Sequence, residues 1–250
     1  MAGDWHPLLR LLGWTLAYFL AGLVAVWFAP REPDAVSLIW PAAGIGFTVL
    51  LVHGLRYWPV IALPLVPLHL WVSPTPWLFV PFSIAANVIP TVLAVLIVRR
   101  AGVGDGRSFS IRSGVIMLGA GVFLAATSAV IGTIGMLVSG MAPPEFLFAR
   151  FAAWTMADLV GMVSIAPALI ALLWLRQFPT LDADVVVRPR RTEFVLWALA
   201  FAASLWVFWF SGSLKSHFAL AVACLPLALV VWAAMRFHPV LALSANAVFS

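Results

Sequence analysis

Asp158 is the only acidic residue set well inside a long apolar run of this chain. An acid at the centre of a membrane helix costs about 2.5–3.5 kcal/mol on insertion scales, so such a residue demands an explanation. Two readings stand side by side. The carboxylate binds a ligand or couples to a proton inside a bundle, or it is a buried acid that hydrogen-bonds a neighbouring helix and holds the bundle together. Asn87 is a polar amide in another apolar run, followed by Pro90. It is expected to pair with a second helix, an interaction worth about 1 kcal/mol. His53 and His69 stand near opposite ends of two further runs and share no metal-ligand spacing with any acid or cysteine. Each is expected to be an interfacial or core histidine. Cys224 is the single cysteine and lies in an apolar run, so it makes no internal disulfide.

The chemistry that is missing narrows the function classes. Gly102, Gly104 and Gly106 form a loop without the Lys-Ser/Thr of a phosphate site. No Gly-x-Ser-x-Gly elbow and no His-Glu-x-x-His helix occurs. Lys215 is the only lysine, and no second acid lies within an apolar run. The chain is therefore expected to be non-enzymatic, with no catalytic residues, no metal site and no cofactor.

The elements that must position Asp158 and Asn87 are membrane helices. The 250 residues are 64% hydrophobic and 9% charged, and the mean hydropathy is +1.09. An average soluble domain is about 45–50% apolar and about 25% charged, so both a soluble domain and a disordered chain are excluded. A crossing takes about 20 apolar residues. Eight segments qualify, at roughly 8–29, 37–55, 57–72, 78–98, 113–138, 151–175, 194–211 and 218–235. The fold class expected is an all-α polytopic bundle of about eight complete helices. A ninth run begins at Pro239 and is still apolar at Ser250. That pattern is expected of the membrane part of a longer chain whose cytoplasmic portion follows residue 250. The first segment reads as a retained helix, because its apolar run is long and Trp27-Phe28-Ala29-Pro30 is a poor cleavage site.

The net charge is +5, but the basic residues lie in short loops between apolar runs. They set orientation in a bilayer, and no nucleic-acid partner is expected. With all segments crossing, eleven arginines fall on the side of the N-terminus, among them Arg10, Arg56, Arg99, Arg100, Arg112 and Arg176. Arg31, Arg150 and Lys215 fall on the other. The N-terminus is then cytoplasmic. If segment 57–72, which holds Pro59, Pro64 and Pro67, dips and returns, the balance becomes four against ten and the orientation reverses. The uncharged turn Ser73-Pro74-Thr75-Pro76 favours the crossing.

Thirteen tryptophans are present. Trp5, Trp27, Trp40, Trp58, Trp71, Trp77 and Trp174 fall at or near expected helix ends and read first as an interfacial belt. Gly121, Ala125, Ala129 and Thr133 form a small-residue stripe, expected to pack helices tightly, with homodimerisation as a lesser alternative. Ala101–Ser108 and Arg176–Glu193 are the most loop-like stretches, the second touching lipid headgroups.

Trp40-Pro41-Ala42-Ala43-Gly44-Ile45 resembles the Trp-Pro-Pro-Ala-Gly-Ile signature of the first type of bacterial membrane-associated sensor domain, the MASE family. Asn87 in a helix ending Arg99-Arg100, Ser128-Ala129-Val130-Ile131-Gly132, and Trp154 followed by Asp158-Leu159-Val160-Gly161 and Ala166-Pro167 are similar to its later motifs, in order, over about residues 38–175. Ala42, Ala157 and Pro90 depart from residues usual in the family. The resemblance implies a bacterial inner-membrane sensory input domain over residues 1–250. Its C-terminal output would be a histidine kinase of a two-component system, or a cyclic-di-GMP enzyme. In the crossing topology Trp40, Pro41, Gly44, His69, Asn87 and Asp158 share the outer half of the bilayer. With Trp154, Gly161 and Pro167 they form the candidate signal-binding or bundle-core set. The partners expected are the lipid bilayer and an unidentified small-molecule or membrane-protein signal. A stand-alone transporter or a scaffold for another membrane protein is the alternative.

Overall fold

The computed structural model describes residues 5–27, 29, 37, 39–103, 111–177 and 191–211. Every regular element among them is helical: α1 (Trp5–Trp27), α2 (Pro41–His53), α3 (Pro59–Pro67), α4 (Phe79–Arg100), α5 (Ile111–Val138), α6 (Leu147–Gln177) and α7 (Arg191–Ser211). A 3-10 turn at Leu55–Tyr57 and a π turn at Leu68–Val72 flank α3. The protein is all-α, and five of these helical stretches are long and apolar enough to cross a membrane. They are Pro7–Trp27, Leu55–Val72, Phe79–Arg100, Arg112–Val138 and Pro144–Leu173. The eighth segment, the ninth run and Cys224 lie outside the described residues, so an expected total of eight or nine helices has no counterpart here.

The chain divides into two compact units, Met1–Ala166 and Pro167–Ser250. The second contains the end of α6 and α7, where the rings of Trp197 and Phe201 stack at 5.3 Å. The first unit holds every polar group considered below.

Within it α2 departs from expectation. A crossing was expected over 37–55, but the helix has only 13 residues, about 20 Å of rise against a hydrocarbon core of about 30 Å. Pro41 occupies the first turn and holds Trp40 in a non-helical conformation, φ −120° and ψ 80°. Gly54, at φ +103°, ends the helix in a backbone conformation that side chains disfavour. The helix is buried from Ala42 to Gly44 and from Gly46 to Leu51, on all of its faces. It is a central helix, and α1, α3, α4 and α6 surround it. Gly22 of α1 faces Trp40, Gly46 of α2 faces Ile61 of α3, and Gly44 faces Ile165 and Ala166 of α6. Thr48 donates to the Ala166 carbonyl at 3.4 Å.

Segment 57–72 runs as one helical stretch in spite of its prolines. Pro59 is at the start of α3, where a missing N–H is harmless, and the π turn follows Pro67. The stripe Gly121, Ala125, Ala129 and Thr133 is buried inside the bundle, with Gly121 against Met162.

Candidate functional site

Trp40 is the first correction to the aromatic belt. Trp27, Trp58, Trp71 and Trp77 are exposed at helix ends, as an interfacial belt requires. Trp40 instead points into the bundle, and its indole Nε1 donates to Asn87 Oδ1 at 3.0 Å. The cause is the short α2. The chain reaches its first turn within the bundle, where an unpaired indole N–H would be costly. The Trp40 backbone N–H donates to the carbonyl of Ala157 at 3.0 Å, one residue before Asp158.

Around Asn87 the bonds form a closed set. Oδ1 also accepts from the Tyr18 hydroxyl at 3.1 Å. Nδ2 donates to the Ser83 carbonyl at 2.9 Å, and Thr91 donates to the Asn87 carbonyl at 2.6 Å. One turn away, His69 Nε2 and the Ser83 hydroxyl are 2.7 Å apart. Its other ring nitrogen, Nδ1, is 3.2 Å from Thr75 Oγ1. The imidazole lies edge-on to Phe79, 5.4 Å between centroids. The π turn at Leu68–Val72 puts His69 in this position.

Asp158 forms the second half of the set. It is buried, 2% exposed, and its carboxyl group accepts a hydrogen bond from the Ser128 hydroxyl. The Trp154 indole Nε1 donates to Ser128 Oγ at 3.0 Å, and its ring lies on Gly132. No buried side-chain oxygen or nitrogen of the described residues is left without a partner.

Gly44 and Gly161 make the crossing of α2 and α6 possible. A Cβ on Gly161 would overlap the Trp40 carbonyl, and one on Gly44 would stand 2.5 Å from the Gly161 carbonyl. Pro41 opens α2 beside them. The structure therefore gathers Trp40, Pro41, Gly44, His69, Asn87, Trp154, Asp158 and Gly161 in one unit. Pro167 lies in the second unit. Tyr18, Ser83 and Thr75 were not expected from sequence. Tyr18 lies in an apolar run with no pattern to mark it, although a tyrosine within a membrane helix needs a partner for its hydroxyl.

The set is a buried polar knot, and it holds a hydroxyl–imidazole pair, Ser83 with His69. Among the described residues no three His, Cys, Asp or Glu side chains are grouped to hold a metal. The arrangement can discriminate between helix packings, because the Tyr18–Asn87, Trp40–Asn87 and Trp154–Ser128 bonds join different helices and a low dielectric makes a broken bond expensive.

The MASE1 family model matches residues 11–250. No curated protein and no solved structure matches the chain. With apolar helices able to cross a membrane and a match over almost its whole length, the chain belongs to the MASE1 family of membrane sensory domains.

Proposed function

We propose that the chain is the signal-receiving part of a bacterial inner-membrane receptor. The knot of Trp40, Asn87 and Asp158 is the place where a signal acts. The observation that carries this reading is the double engagement of Trp40, by its indole with α4 and by its backbone with α6. A ligand or partner that displaces this one residue changes two helix contacts together. The signal must favour one packing over the other to have any effect. Arg10, Arg56, Arg99, Arg100 and Arg112 mark the cytoplasmic end, with the N-terminus inside and the Ser73–Pro76 turn outside. A C-terminal cytoplasmic module, a histidine kinase or a cyclic-di-GMP enzyme, reads the change.

The test is the output of the full-length receptor in cells. Asp158→Asn and Asn87→Ala, at normal membrane levels, are expected to lock the output high or low. Unchanged output and unchanged response in both variants would remove the knot as the signal site.

A further inference from the structure

Helix α2 is held at both of its ends by α4. At one end the Trp40 indole bonds Asn87. At the other, Arg99 Nη2 donates to the carbonyls of Leu50 at 3.0 Å and Leu51 at 2.8 Å. The anchors are about 18 Å apart along α4 and about 15 Å apart along α2, so the helices run parallel with matched spans. The Leu50 carbonyl already receives the Gly54 N–H. The Leu51 carbonyl lacks that option, because the chain leaves the helix at Gly54 and turns at Leu55–Tyr57. The guanidinium supplies the missing donor, as cations do at helix C-termini. Since α2 is enclosed by its neighbours, a displacement at Trp40 has no soft lipid contact to absorb it.

We infer that α2 and α4 form a two-point strap that carries movement from the polar knot to the arginine-bearing end of the bundle. Arg99 is the positioning residue at the far anchor. The direction of the message rests on the reading of the knot as the signal site; the mechanical coupling does not.

Hydrogen exchange of the chain in lipid nanodiscs tests it. Asn87→Ala is expected to speed exchange at Ala42–Gly44 and also, about fivefold, at His53–Tyr57, the loss equivalent to about one hydrogen bond. Arg99→Met, which has no donor, is expected to do the reverse, reaching Ala42–Gly44 from the far end. Arg99→Lys should restore most of the protection, because an ammonium also donates to carbonyls. Trp40→Phe, which removes only the indole donor, is the milder variant if Asn87→Ala loses protection throughout α5 and α6. Changes confined to the altered end, or a lysine variant as unprotected as the methionine one, would overturn the strap. Long-range coupling together with unchanged output and response in both Asp158→Asn and Asn87→Ala would keep the strap and discard the signal site.

Discussion

The α-carbon of Gly161 lies against the backbone carbonyl of Trp40, leaving no volume for a methyl group between α6 and the entry to α2. Backbone meets backbone here, so no flexible side chain can yield. Gly161→Ala is expected to destabilise the protein by about 1–3 kcal/mol, the usual range for overpacking. Gly44→Ala, which meets the Gly161 carbonyl at 2.5 Å, should cost a similar amount. Gly119→Ala is the control, since nothing lies within 4 Å of the added atom. Thermal unfolding in detergent, followed by size-exclusion recovery, ranks the three.

Asn87 Oδ1 accepts two buried donors, from Tyr18 and Trp40. Its removal leaves both without a partner. Asn87→Ala should cost about 1–3 kcal/mol, while Tyr18→Phe removes a donor and its need together and should cost about 0.5–1.5 kcal/mol. The double variant should be less damaging than the sum, because the Tyr18 bond is counted in both. Additive losses would mean that the two groups do not share a bond in the membrane.

Asp158 is expected to separate stability from signalling. An asparagine keeps an oxygen that accepts from the Ser128 hydroxyl, so Asp158→Asn should hold its unfolding temperature close to that of the parent. A leucine cannot accept, and Asp158→Leu should leave the Ser128 hydroxyl short of an acceptor, costing about 1–3 kcal/mol. Under the proposed function both variants alter output, but only the leucine variant loses stability.

Orientation is checked by thiol labelling in a Cys224→Ser background. Cysteine at Ser73, exposed in the turn after α3, should react with an impermeant maleimide added to intact spheroplasts. Cysteine at Trp58 or Arg100, both exposed at the opposite end of their helical stretches, should react only after permeabilisation. Labelling of positions 58 and 73 from the same side would mean that Leu55–Val72 does not cross.

The class of this protein was legible in its composition, and six of the helical segments were placed to within a few residues. Hydropathy over a window of about 20 residues is a one-dimensional quantity, and the bilayer thickness sets its scale. The cost of burying polarity in lipid also marked Asp158 and Asn87 from sequence alone. What each of them touches was a different matter. Trp40 reads like any interfacial tryptophan until α4 is seen beside it, and Tyr18 reads like any ring in an apolar run. The true length of α2 escaped the hydropathy window because apolar residues continue on both sides of Pro41 and Gly54, whose backbone preferences end the helix without changing its polarity. Arg99 looked like one more positive charge at a membrane surface. Its bonds to Leu50 and Leu51 exist only because α2 and α4 run parallel. Such packing is decided by side-chain volume and backbone approach between residues about 50 positions apart, as Arg99 and Leu50 are, and no local pattern encodes it.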